Sequence, residues 1–184
     1  DTFLLYMNLR FWTVQFWKET GYGLGSSQFL VRKIVSIADI QDASIIVELG
    51  GWEWQVTKYL LEKKSPQTKL IVIENDHEKF LMLSEKYGHL CEVHEMSAAH
   101  LETIIGNNSV DIIISTLPLG SISSPGVDHI LLASQSVLKS WARFIQFQYA
   151  LQNLWDVKKY FILDYISFEI RNIWPAFIYK THKK

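Results

Sequence analysis

Apolar residues along this chain recur with two alternating periods, and the alternation predicts an architecture. Ser26 to Ala38, SSQFLVRKIVSIA, offers a serine cap and then Phe29, Leu30, Ile34, Val35 and Ile37 at helical spacing. After the break Asp39-Ile40-Gln41-Asp42 comes a short apolar run, Ile45–Leu49, which reads as a strand, and then a helix from about Glu53 to Lys64. The same exchange repeats. Strands are predicted at Leu70–Glu74, Leu90–Val93, Val110–Ser115 and Phe144–Tyr149, with helical stretches at His77–Tyr87, Ala98–Ile105 and Val127–Leu138 between them. Short, continuously apolar strands separated by helices imply a parallel, doubly wound sheet covered on both faces. The last third departs from this rhythm: Phe161–Ile170 and Ala176–Lys180 read as two strands with no helix between them, an antiparallel hairpin at one edge.

Composition narrows the picture. A chain of 184 residues with 48% hydrophobic and 20% charged content sustains one substantial core, so residues 26–184 are expected to form a single α/β domain, preceded by residues 1–25 as an aromatic helix and a glycine-rich connection. A formal net charge of -1 gives no basic footprint for nucleic acid, which is not expected as a partner. One cysteine, Cys91, precludes an internal disulfide and fits a reducing, cytoplasmic setting. Phe3 to Trp17, FLLYMNLRFWTVQFW, is too short and too polar to span a bilayer. It is expected to be a helix, either packed on the domain or lying at a membrane surface as a peripheral contact.

In an open parallel sheet the ligand lies beyond the carboxyl ends of the strands, at the point where strand order reverses. Those ends carry Glu48, Gly50 and Gly51 on the first strand, Glu74 on the second, Ser97 and Ala98 after the third, and Ser115-Thr116-Leu117-Pro118 on the fourth. A carboxylate ending the second strand suits a pair of ribose hydroxyls, and equally suits a helix N-terminus. Other chemistries fail on spacing. His94-Glu95 and His100 lack the four-residue separation of a zinc helix, no Cys/His cluster suggests a metal, and no G-x-S-x-G elbow is present.

VELG from Val47, VIE from Val72, SAAHL from Ser97, IISTLPL from Ile113, FIQFQY from Phe144 and RNIWPAF from Arg171 resemble, in order and spacing, the S-adenosylmethionine-dependent methyltransferases of the bacterial phospholipid N-methyltransferase family. The resemblance runs from about Ser26 to Lys180 and implies a class I, Rossmann-like, mainly parallel seven-stranded sheet with a C-terminal antiparallel hairpin. It further implies S-adenosylmethionine as cofactor, with Glu48, Gly50 and Gly51 at its amino-acid moiety, Glu74 at its ribose and Ser97 and Ala98 near its adenine. Ser115, Leu117, Pro118, Tyr149, Arg171 and Asn172 become acceptor-side candidates, facing a phospholipid headgroup with an ethanolamine-type amine. The chain departs from the family pattern at four of its seven tryptophans: Trp52, Trp54 and Trp141 stand at glycine positions and Trp174 at a proline.

Three readings follow. The chain is a phospholipid-type N-methyltransferase; or it is a noncatalytic domain whose cleft, lined by Trp52, Trp54, Trp141 and Trp174, is inert or binds a small aromatic or cationic molecule; or it is a membrane-surface or partner-binding module using Phe3 to Trp17. The second reading expects Trp52 or Trp54, together with Trp141 or Trp174, to project into the donor space.

Overall fold

A computed structural model of the chain describes residues 27–51, 54–172 and 174–184. The expected helix at Phe3–Trp17, the boundary at residues 25 and 26, and Trp52 lie outside the described residues. Seven strands form one sheet in the order β3-β2-β1-β4-β5-β7-β6: β1 Ile45–Leu49, β2 Lys69–Glu74, β3 Glu92–Glu95, β4 Val110–Ser115, β5 Leu138–Gln148, β6 Phe161–Glu169 and β7 Ala176–Lys183. Strands β1 to β5 pair in parallel, and β7 runs antiparallel between β5 and β6. Since β1 pairs with β2 on one side and β4 on the other, strand order reverses between β1 and β4, where the connections part and leave a crevice.

Strand alternation divides the core into two layers. Val47, Leu49, Ile71, Ile73 and Ile113 pack with α4 (Ser124–Val137), α5 (Leu154–Tyr160) and a 3-10 segment at Ala98–Thr103. Ile46, Leu70, Val72, Ile112 and Ile114 face α1 (Gln28–Ala38), α2 (Trp54–Lys63) and α3 (His77–Tyr87). Both faces are therefore apolar, and the strands read as continuous hydrophobic runs rather than alternating ones.

Most elements fall where the periodicity puts them, and the differences have local causes. The third strand begins at Glu92 rather than Leu90, because the N–H groups of Leu90 and Cys91 close the end of α3 on the Tyr87 carbonyl. Ala98–Ile105 forms 3-10 turns interrupted at His100 instead of a helix. α4 starts three residues early, capped by the Ser123 hydroxyl with Pro125 in its first turn. α5, between β5 and β6, has no counterpart in the sequence pattern, because its seven residues are too few to display a helical period.

Candidate functional site

The turn after β1 is built around absent side chains. Gly50 has φ +82°, and a Cβ there would lie 3.0 Å from both Leu117 Cδ2 and Thr116 Oγ1. At Gly51 it would meet Val72 Cγ1 at 2.5 Å and Leu83 Cδ1 at 2.8 Å. The first glycine supplies a left-handed backbone and the second a close approach to the sheet. The Gly50 N–H donates to the Ile73 carbonyl at 2.9 Å, and the Thr116 hydroxyl donates to the carbonyls of Leu49 and Gly50, so the turn is clamped from β2 and from the loop after β4. Glu48 is fully buried and accepts from the Thr57 hydroxyl at 2.7 Å, which ties the strand end to α2.

On the next strand, the Glu74 carboxylate is nearly buried, and its Oε1 accepts the backbone N–H groups of Asn75 at 2.8 Å and Asp76 at 2.9 Å. These bonds fix one oxygen, while among the described residues no donor reaches Oε2. The Glu74 carbonyl also accepts from Met96 N–H at 3.0 Å, holding the loop after β3 beside it. There Ser97 caps the 3-10 turn through Ala99 N–H and Ala98 is buried. Gly50, Glu74 and Ser97 thus stand at the ends of three adjacent strands, as the sequence-based placement required.

The other half of the crevice contains a feature missed by sequence reasoning. Gln146 and Gln148 on β5 both donate their side-chain amides to the Leu117 carbonyl, at 3.1 Å and 2.9 Å. Their signal was two glutamines two residues apart in an apolar strand, which places both on one face. Ser115 lies directly across from Gln146 in register. Among the described residues the Ser115 hydroxyl and Gln146 Oε1 are both buried without a hydrogen-bond partner, an arrangement that buried polar atoms rarely keep without a functional or solvent partner. Tyr149 follows on the same strand end, its ring set edge-on to Phe147.

Arg171 and Asn172 lie in the β6–β7 connection. The Arg171 guanidinium grips buried Glu169 through two contacts of 2.9 Å, and its backbone N–H adds a third bond at 3.0 Å. This pairing, joined by Lys33 at 3.7 Å, pulls the Glu169 carboxyl down to a pKa of about 2. Asn172 Oδ1 accepts from Ser27 N–H at 2.7 Å, and its amide donates to the Trp174 carbonyl at 3.0 Å, fastening the connection to the start of α1.

Of the tryptophans expected in the donor space, Trp52 lies outside the described residues and the other three are placed as follows. Trp54, at the first turn of α2, lies beneath the Lys86 ammonium at 3.3 Å from the ring centroid. It lines a groove of about 790 Å³ across the helical layer, together with Arg32, Tyr59, Glu62 and Tyr87. Trp141 sits at the opposite end of the sheet, beside the amino ends of the parallel strands, with φ +63° and its ring stacked on His182 at 5.0 Å. Trp174 alone of the described three is at the carboxyl end, and it is exposed. Among the described residues no helix is long and apolar enough to cross a membrane.

A parallel sheet with this reversal point and a terminal antiparallel hairpin is the class I methyltransferase fold. A methyltransferase from Aquifex aeolicus superposes with a TM-score of 0.69 at 14% identity, over 85% of this chain and 90% of the other. The N-methyltransferase NodS from Bradyrhizobium japonicum, solved with S-adenosyl-l-homocysteine, gives 0.68 at 8% identity over 85% and 88%. TrmN from Thermus thermophilus gives 0.69 at 13% identity over 84% of this chain, which spans about half of that protein (48%). In sequence, the chain is similar to an ornithine lipid N-methyltransferase from Singulisphaera acidiphila, 26% identical over 163 residues that cover 84% of this chain and 83% of the relative. No family model matches. The chain therefore has the class I, Rossmann-like methyltransferase fold, and in sequence it is similar to a lipid N-methyltransferase.

Proposed function

We propose that this chain transfers a methyl group from S-adenosylmethionine to the amine of a lipid headgroup, of the ethanolamine or ornithine type. The observation that carries the reading is the Gly50 turn: a side-chain-free backbone clamped against Thr116 and Leu117 at the reversal point, with Glu74 one strand away. The residues present fit the donor. Gly50 and Gly51 let the turn bend tightly and pack on Thr116, Leu117, Val72 and Leu83 at the reversal point, and the fixed carboxylate of Glu74 offers acceptor oxygens for vicinal hydroxyls. Ser97 and Ala98 would border its base.

When bound, the donor supplies an electrophilic methyl on a sulfonium, which the amine nitrogen takes as the S–C bond breaks and a proton leaves the nitrogen. The chain's own part is positioning. Gln146 and Gln148 hold the Leu117 carbonyl, and with it the Leu117-Pro118 segment, in one place. The Ser115 hydroxyl and Gln146 Oε1 are suited to accept N–H bonds from an amine that has entered uncharged, aiming its lone pair. An alkyl amine titrating near 10 in water reaches that state more readily in a dry site, since burial disfavours the ammonium. The noncatalytic reading would need a tryptophan in the donor space; of the four candidates, Trp54 packs under Lys86 and Trp141 on His182.

Calorimetric titration with S-adenosylmethionine and its demethylated product tests the donor half, with micromolar binding expected. Transfer of labelled methyl onto a panel of phosphatidylethanolamine and ornithine lipid tests the acceptor half. Absence of donor binding would sink the enzyme reading.

A further inference from the structure

Among the described residues, large apolar side chains exposed at the same end of the molecule as the strand-end site include Phe29 (48%), Leu151 (43%), Trp155 (71%), Ile170 (68%) and Trp174 (57%). They come from three separate segments, namely the first turn of α1, the connection from β5 into α5, and the β6–β7 connection. Specific contacts bring these segments together. The Arg171 guanidinium lies 4.6 Å from the Phe29 ring centroid, and Ser27 is bonded to Asn172. Lys33 donates to the Phe168 carbonyl at 2.7 Å, and Gln152 of the β5–α5 connection abuts Gly120 in the loop after β4. The rim therefore crosses the end of the sheet from one helical layer to the other. So much exposed aromatic surface beside one site marks a contact face.

Its charges select the occupant. Lys158 Nζ stands 4.5 Å over the Trp155 ring, and Arg171 covers Phe29, so aromatic surface and cations are interleaved. The carboxylates of this region are already matched: Glu169 by Arg171 and Lys33, Asp156 by Lys159 at 3.1 Å. Among the described residues of the rim, neither of these two carboxylates would be pressed uncompensated against phosphates, and Trp with Lys or Arg is the pairing favoured at the level of lipid headgroups.

We infer that this rim is a membrane-docking face, seating the carboxyl end of the sheet on a phospholipid bilayer so that a headgroup amine enters the crevice while its acyl chains stay in the membrane. The inference rests on the lipid-acceptor reading above. It is distinct from a contact through Phe3 to Trp17, because its anchors belong to the folded domain. Attraction through matched charges and apolar area makes binding only weakly dependent on salt.

The test uses the full chain, vesicles of phosphatidylethanolamine and phosphatidylglycerol, and three proteins: wild type, the double variant Trp155→Ser with Ile170→Ser, and Trp141→Ser as an equally exposed control at the far end. The double variant is expected to lose about tenfold in vesicle partitioning by co-sedimentation, the control to bind like wild type. Methylation of vesicle lipid should fall with binding in the double variant, while methylation of a short-chain, monomeric amino-lipid stays within about twofold of wild type. Melting curves verify folding, and if the double variant is unstable the single Trp155→Ser variant is read the same way. Equal partitioning of wild type and double variant overturns the docking face, as does a wild type that ignores vesicles. A wild-type dimer that the double variant converts to monomer in light scattering would assign the rim to a second copy and also overturn it. Loss of vesicle binding without methylation of any lipid amine by wild type leaves the docking face standing and rejects the acceptor reading.

Discussion

The Thr116 hydroxyl donates to the carbonyl oxygen of Gly50, so the loop after β4 and the turn after β1 hold each other across the reversal point of the sheet. A side chain at Gly50 would have to adopt φ +82° and push against Thr116 and Leu117. Gly50→Ala is therefore expected to cost about 1–3 kcal/mol of stability, measured by urea unfolding, and to weaken donor affinity more than tenfold in calorimetry. Retention of both would show that the turn has room to relax.

Glu74 has one oxygen committed to backbone N–H groups and the other without a described donor. Glu74→Gln keeps an acceptor for those amides but loses the charge. Its melting temperature should change little, while its affinity for S-adenosylmethionine falls about tenfold, the value of one charge-assisted hydrogen bond. An unchanged affinity would reduce Glu74 to a local cap for Asn75 and Asp76.

Gln146 and Gln148 act on the acceptor half through the Leu117 carbonyl. Replacing both with Leu removes two buried donors and leaves that carbonyl without them, a loss of roughly 1–3 kcal/mol for each unmade bond. Donor affinity should stay within about threefold, whereas kcat falls by ten- to a hundredfold because the Leu117-Pro118 segment is no longer fixed and the Gln146 Oε1 acceptor for the amine is gone. Equal losses in donor affinity and kcat would point to general unfolding of the site instead.

Trp54 tests the altered glycine pattern directly. Its ring packs under Lys86 across the helical layer, so Trp54→Ala should leave donor affinity within about twofold and lower stability by no more than about 1–2 kcal/mol, chiefly the lost cation–π and packing contacts. A marked gain in donor affinity would instead restore the filled-cleft reading.

Glu169 supplies a pH signature. Its carboxyl is held near 2 by hydrogen bonds from Arg171, below the ordinary value of 4.5. A depressed folded-state pKa contributes stability that is present above 4.5 and disappears as pH falls toward 2. The melting-temperature gap between wild type and Glu169→Gln should consequently narrow as pH drops from 5 through 3. A gap that is constant with pH would mean that the Glu169–Arg171 pair is held equally in the unfolded chain.

The apolar periods along the chain determined the order of strands and helices, the hairpin and the identity of Gly50 and Glu74 as strand-end residues, because burial on both faces of a parallel sheet leaves runs such as Ile45–Leu49 that can be read locally. Even there, α5 leaves no legible signal, its seven residues carrying too little pattern. Tertiary structure decided where the tryptophans went. A substitution at a glycine position says that a large ring has arrived, but its direction depends on partners distant in sequence: Lys86 for Trp54, His182 for Trp141. The glutamine clamp was equally hidden, since Gln146 and Gln148 find their common acceptor, Leu117, only when β5 pairs beside β4. Local pattern fixes which face a residue occupies, whereas the contact that gives it a task is set by long-range pairing and electrostatics, which leave no periodic trace in the chain.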